Sequence, residues 1–158
     1  MNIKCCCFTG HRPDKMKQGE SDIKPPLEKA IDKAIDDGYL LFITGMAMGT
    51  DIWAAEIVLN KKKANPDIQL ICALPHPNFE SRRSFAERIR YNNILQKANA
   101  VKLINENYFI GCYQVRNEWM VDHSNLVIAV YNGQKSGTKN TIDYAETKNI
   151  CVINVLQK

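Results

Sequence analysis

Short apolar runs alternate with longer stretches of helical periodicity along the whole chain, and this alternation constrains the fold more than any other feature. The runs cover residues 2–8, 39–43, 68–74, 100–104, 126–130 and 150–156. They show little polar alternation, as expected of parallel strands covered by helices on both faces. Strands alternating with helices in this way predict an α/β fold with a doubly wound, mainly parallel sheet of about six strands and helices on both faces. No repeat, low-complexity tract or linker interrupts the pattern, so residues 1–158 are expected to form one domain.

The helical stretches have recognisable ends. Pro25-Pro26 is expected to open a helix at its first turn, with Leu27, Ala30, Ile31, Ala34 and Ile35 as its apolar stripe and Gly38 as its stop. A second helix runs over about 50–63 and ends at Asn65-Pro66. A long segment reaching Ala98 is expected to be capped by Asn78 or Ser81, to place Phe85 and Ile89 on one face, and to bend near Tyr91 or Asn92. Arg83, Arg90 and Lys97 recur every seven residues and predict one basic edge, or a solvated face balanced by Glu80 and Glu87. Residues 113–123 read as a helix presenting Arg116 and Asn117 early, and a last short helix ends near Lys148.

Composition narrows the function classes. A net charge of +4 permits an anionic ligand without demanding nucleic acid. No apolar run approaches the ~18 residues of a membrane span, and the first residues do not read as a signal peptide, so a cytoplasmic location is expected. Cys5, Cys6 and Cys7 are consecutive, Cys72 and Cys151 lie in strand-like runs and Cys112 is isolated. That placement predicts reduced cysteines acting as small buried hydrophobes, with no disulfide and no metal. The chain has neither G-x-G-x-x-G after its first strand, nor a P-loop, nor G-x-S-x-G, and His11, His76 and His123 make no metal constellation.

In open parallel sheets, ligands bind beyond the carboxyl ends of the strands, near the point where strand order reverses. Three polar loops leave strands at that edge. The first carries Thr9, Gly10, His11 and Arg12; the second carries Thr44, Gly45, Met46, Gly49, Thr50 and Asp51; the third carries Ser136, Gly137, Thr138 and Lys139. The second reads as a strand, a glycine turn and a helix start, either an anion cradle or an ordinary connection. Asp51 would repel a phosphate there and suits a ribose hydroxyl or the helix dipole. The phosphate is therefore placed at Gly137, Thr138 and Lys139, with Arg12 and Arg116 as bidentate partners. Trp53, Tyr131 and Met46 are candidates for packing against a base, Trp53 equally for the core, and His11 with Glu56 is the one plausible acid–base pair.

Four stretches also carry a resemblance: Thr-Gly-His-Arg-Pro after the first strand, Thr-Gly-Met-Ala-Met-Gly-Thr-Asp-Ile-Trp-Ala-Ala-Glu after the second, Arg-Asn-Glu-Trp-Met-Val-Asp before the fifth, and Ser-Gly-Thr-Lys-Asn-Thr after it. Together they resemble the YpsA/YoqJ-type branch of the SLOG superfamily. The second is also similar to the Ser-Gly-x-Ala-x-Gly-Ile-Asp stretch of the DNA-processing protein DprA, with Thr44 for serine and Thr50 for isoleucine. The resemblance implies a Rossmann-like domain binding a nucleotide or nucleotide derivative, in a superfamily of sensors, nucleoside-monophosphate phosphoribohydrolases and single-strand DNA binders. The hydrolase branch resembles Gly-Gly-x-Gly-Thr-x-x-Glu, and Thr141 stands here where that glutamate would.

The resulting expectation is a nucleotide-binding, ligand-sensing protein with a small nucleotide-derived ligand, no other cofactor assigned and no membrane partner. The alternatives are a nucleotide-processing enzyme of the phosphoribohydrolase type and a DprA-like binder of single-stranded nucleic acid. Homo-oligomerisation is left open.

Overall fold

The computed structural model describes residues 3–156; the expected strand start at Asn2 lies outside them. Six strands form one sheet: β1 (Cys5–Gly10), β2 (Leu41–Thr44), β3 (Gln69–Leu74), β4 (Ala100–Leu103), β5 (Leu126–Val130) and β6 (Cys151–Asn154). Their order is β4-β3-β2-β1-β5-β6 and every neighbouring pair is parallel. The chain walks from β1 out to β4, then crosses back to add β5 and β6 on the other side of β1. Strand order thus reverses between β1 and β5.

Helices α1 (Glu20–Asp36), α2 (Thr50–Ala64) and α3 (Phe85–Lys97) cover one face, while α4 (Cys112–Asp122) and α5 (Gly137–Thr147) cover the other. The cysteine run shows how period-two geometry serves both layers. Cys6 and Phe8 enter the core under α1 and α2, while Cys5 and Cys7 enter the core under α4 and α5. Burial pushes the Cys5 thiol up to about 11 and those of Cys7 and Cys72 up to about 12, so these groups stay protonated at neutral pH. Cys151 departs from the expected burial, because β6 is an edge strand and leaves it exposed.

Two helices differ from the sequence reading for physical reasons. Helix α1 starts at Glu20 instead of at the prolines, with the Asp22 carboxylate accepting the Gly19 N–H at 3.1 Å. Pro25 and Pro26 lie inside it and withhold two helical donors. Burial of Ile23 one turn ahead of Leu27, Ile31 and Ala34 extends the stripe and carries the helix through them. Helix α3 is capped by Ser84, whose hydroxyl accepts the Glu87 N–H at 3.2 Å, and it runs unbroken past Tyr91. Its core face is Tyr91 and Ile94; Phe85 and Ile89 share a face, but that face is 71% and 53% exposed.

The three evenly spaced cations do not form an edge. Arg83 precedes α3 and donates to the Met46 carbonyl at 2.6 Å, and Lys97 is exposed. Arg90 clamps three helices together, meeting Glu20 of α1 at 3.0 Å and Glu56 of α2 at 2.5 Å.

Candidate functional site

A cleft of about 480 Å³ opens where strand order reverses, at the carboxyl ends of the sheet. Of the residues singled out from the sequence, Thr9, Gly10, His11, Arg12, Asp51, Arg116, Asn117, Ser136, Gly137 and Thr138 line it. The first loop is tied to β5 by the His11 N–H donating to the Val130 carbonyl at 3.3 Å and by His11 stacking on Tyr131 at 5.4 Å. The third wall is the start of α5. Ser136 caps that helix by accepting the Lys139 N–H at 3.3 Å, while the Gly137 and Thr138 amides precede any intrahelical acceptor.

The loop from β2 to α2 is held in shape by two arginines distant in sequence. Arg116 of α4 donates to the Gly45 carbonyl, and Arg83 donates to the next carbonyl, that of Met46. Met46 takes a left-handed φ of 62° between these bonds, which drives its side chain fully into the core. Thr44 stitches the same loop, its hydroxyl donating to the Asp51 carbonyl at 2.9 Å and accepting the Met46 N–H at 3.3 Å. Asp51 turns back to accept the Ala47 N–H at 3.1 Å. Both Asp51 and Arg116 close on Gly45, where a Cβ would lie 2.9 Å from the carboxylate and 2.8 Å from the guanidinium carbon.

Several expected roles change in consequence. Thr44, Gly45, Met46, Gly49 and Thr50 build the loop from behind and do not line the cleft. Gly49, at φ +91°, packs instead against Pro13. Met46 and Trp53 belong to the core, leaving neither free to stack on a base. The Lys139 ammonium pairs with Asp143 at 2.8 Å along α5 and does not line the cleft. His11 and Glu56 are not an acid–base pair, because Glu56 is engaged by Arg90 and Lys24 among the helices while His11 sits in the cleft.

Lys15, Phe79, Tyr113, Gln134 and Lys135 line the cleft without having been singled out. Lys135 and Gln134 lie inside the glycine-containing turn after β5, so the turn itself was their signal. Phe79 comes from the connection after β3 and Tyr113 from the first turn of α4, and neither carries a periodicity that marks it.

Electrostatics favour an anion. Arg12, Lys15, Lys135 and Arg116 face a single carboxylate, Asp51, across the cleft lining. Burial pushes the Asp51 carboxyl above its ordinary range, against the pull of the nearby Arg116 charge, the Ala47 amide and Arg83. Burial also lowers the His11 imidazole below its ordinary 6.5, opposed by the Asn132 side chain. A lowered histidine contributes stability that is present above its unfolded value and lost as pH falls through the folded one. Thermal melts of wild type and His11→Gln should therefore converge as pH is lowered from 7.5 toward 5.5; a gap that widens toward acid would contradict a buried neutral imidazole. Among the described residues, no group of three or more His, Cys, Asp or Glu is placed to hold a metal ion, and no helix is long and apolar enough to cross a membrane.

The chain belongs to the YpsA branch of SLOG proteins: the family model described as the YspA SLOG family matches residues 6–153. It is 30% identical over 144 residues to a UPF0398 protein of Halalkalibacterium halodurans, covering 86% of this chain and 76% of the relative. It is 35% identical over 117 residues to the SPbeta prophage-derived protein YoqJ of Bacillus subtilis, covering 66% of this chain and 68% of that one. DNA processing protein A from Helicobacter pylori, whose single-stranded DNA binding has been described structurally, superposes with a TM-score of 0.65 at 18% identity over 94% of this chain. DprA from Streptococcus pneumoniae gives 0.68 at 16% identity over 95%. This chain spans 63% and 49% of those two proteins, and the likeness is one of Rossmann-like fold.

Proposed function

We propose that the cleft binds the phosphate of a nucleotide or nucleotide derivative, and that the protein works by binding or sensing this ligand rather than by converting it. The observation that carries the reading is the convergence of the α5 amino end with Arg12, Lys15 and Lys135 where strand order reverses. Helix amides without intrahelical acceptors and cations from the connections after β1 and β5 match a compact dianion in charge. Arg116 is largely spent on the Gly45 carbonyl and on Asn117, at 2.7 Å from its Nε, so it positions the loop more than it meets the anion.

Support for a non-catalytic role comes from the groups that a hydrolase would need. Position 141, where the hydrolase pattern places its glutamate, is a buried threonine whose hydroxyl donates to the Gly137 carbonyl at 2.9 Å. His11 has no acid partner in Glu56, which Arg90 and Lys24 engage among the helices. Calorimetric titration with the four ribonucleoside 5′-monophosphates and ribose 5-phosphate, with the products analysed afterwards, tests both halves of the proposal. Arg12→Ala should weaken binding by about 1.5–3 kcal/mol, one to two decades, because a charge-assisted contact is lost. Its melting temperature should not change, since Arg12 is exposed and carries no core packing. Unaltered affinity in Arg12→Ala would remove the phosphate from this cleft, and released base or ribose would overturn the non-catalytic reading.

A second reading, single-strand DNA binding, has one observation in its favour: Arg12, Arg82 and Arg83 line an adjoining cleft beside the first. It predicts retention of oligo(dT) that falls steeply with salt.

A further inference from the structure

The adjoining cleft, about 600 Å³, shares Arg12, Ala47, Phe79 and Tyr113 with the phosphate cleft, so the two are halves of one crevice. Its walls come mainly from the connection after β3, with Tyr108 before α4 and Tyr113 in the first turn of α4, and they hold an aromatic cluster. His76 stacks on Tyr113 at 5.8 Å and meets Phe79 and Tyr108 edge-on at 5.6 and 5.2 Å. Arg83 lies over Phe79 at 4.7 Å. Tyr108 is nonetheless 61% exposed, an unusual state for a ring in a cluster whose only purpose is packing.

Two polar atoms of this wall have no partner among the described residues: His76 Nε2 and Arg83 Nη1 are both buried and unpaired. His76 Nδ1 lies 2.7 Å from the Pro77 carbonyl, so Nδ1 carries the hydrogen and Nε2 is left as an acceptor. Arg83 Nη1 is a donor. Buried unpaired groups of this kind call for an explanation. A heteroaromatic ring carrying a donor and an acceptor on one edge has the groups that both atoms lack, and one of its faces can lie on the exposed Tyr108 ring.

We infer that this aromatic recess is the base-binding half of the crevice, with the nucleobase seated among His76, Phe79, Tyr108 and Tyr113 while the phosphate lies across Arg12 at the start of α5. The inference rests on the phosphate reading above and adds the part of the ligand that reading leaves unplaced. It also replaces Met46 and Trp53, which the core has claimed, as the stacking groups. Mixed stacking and one donor–acceptor pair favour a nucleotide over a bare sugar phosphate, because every base presents a π face.

The test uses the full chain, ribose 5-phosphate and the four ribonucleoside 5′-monophosphates, with Tyr108→Ala, His76→Phe and Arg12→Ala. At least one monophosphate should bind wild type on the order of tenfold tighter than ribose 5-phosphate, and Tyr108→Ala should lose most of that advantage. Ribose 5-phosphate affinity should stay within about twofold in Tyr108→Ala, since the phosphate half is untouched. His76→Phe keeps an aromatic ring but lacks Nε2, so it should alter the ranking among bases more than the average affinity. Arg12→Ala should weaken sugar phosphate and nucleotides alike. Equal affinity for ribose 5-phosphate and every monophosphate overturns the base subsite and leaves the phosphate site standing. So does an advantage that survives Tyr108→Ala. Failure of all five compounds to bind, or binding of oligo(dT) alone, overturns the phosphate reading and the base subsite together.

Discussion

Gly10→Ala should melt about 5–10 °C below wild type, a loss on the order of 2–3 kcal/mol for a chain of this size. Gly10 ends β1, opposite Val130 of β5, and the first turn of α2 lies against it. A Cβ there would sit 2.2 Å from the Thr50 hydroxyl oxygen and 2.5 Å from the Thr50 Cβ, distances at which something must move. Thr50 cannot swing aside, because it is 1% exposed and the residues after it, Asp51, Ile52, Trp53, Ala54 and Ala55, are all buried. The strand end and helix start must therefore separate, and that separation pulls Asp51 away from the cleft wall.

The diagnostic measurement is rescue. Thr50→Gly removes the whole side chain that the new methyl meets, so Gly10→Ala with Thr50→Gly should recover a large part of the melting temperature even though Thr50→Gly alone is destabilising. Independent sites would add within about 0.5 kcal/mol; two residues in collision should not. If Gly10→Ala alone melts within about 2 °C of wild type, the approach of β1 to α2 is looser than these distances require.

What could be read from the chain before its structure follows from which signals are local. Leu126–Val130 reads as a buried strand because all five residues are apolar, and it is one. The start of α2 at Thr50 is equally legible, since a glycine turn between a strand and a helical pattern has few other meanings. The face of α3 was not legible. Phe85 and Ile89 are four apart and apolar, yet the neighbouring α2 is met by Tyr91 and Ile94, a choice made by packing between elements and not by spacing within one. Proline punctuation misled at α1 because a buried Ile23 one turn earlier outweighed two missing donors.

The crevice divides in the same way. Its glycine-bearing loops announce themselves in the sequence because strand ends in a parallel sheet converge by topology. The aromatic recess does not, since His76 and Phe79 follow β3 while Tyr108 and Tyr113 lie beyond β4, in a connection and in the first turn of α4, and nothing in their spacing brings them together. Arg116 was expected as a bidentate partner of the phosphate, but its guanidinium is engaged by the Gly45 carbonyl and the Asn117 side chain, partners which no side-chain motif records.

That carbonyl makes Arg116→Ala the change with the largest expected cost, about 3 kcal/mol or more, as for removal of one member of a buried charged network. Three groups lose their partner or balancing charge at once: the Gly45 carbonyl, the Asn117 side-chain oxygen and the carboxylate of Asp51. Arg116→Lys should not rescue, because one ammonium cannot span the carbonyl and the amide that the planar fork meets together. The pH dependence identifies the cause. Burial already raises the Asp51 carboxyl, and losing the Arg116 charge that opposes this should raise it further. A carboxyl whose folded value is raised contributes stability that is present below its unfolded value and lost as pH rises through the folded one. The deficit of Arg116→Ala relative to wild type should therefore be smaller near pH 4.5 than at pH 7. Adding Asp51→Asn, which removes the charge but keeps an acceptor for the Ala47 amide, should recover part of the loss at pH 7 and little at pH 4.5. A deficit independent of pH, or one that Asp51→Asn deepens at pH 7, would mean that Arg116 holds the loop by its bond to the Gly45 carbonyl alone and that the Asp51 charge is compensated elsewhere.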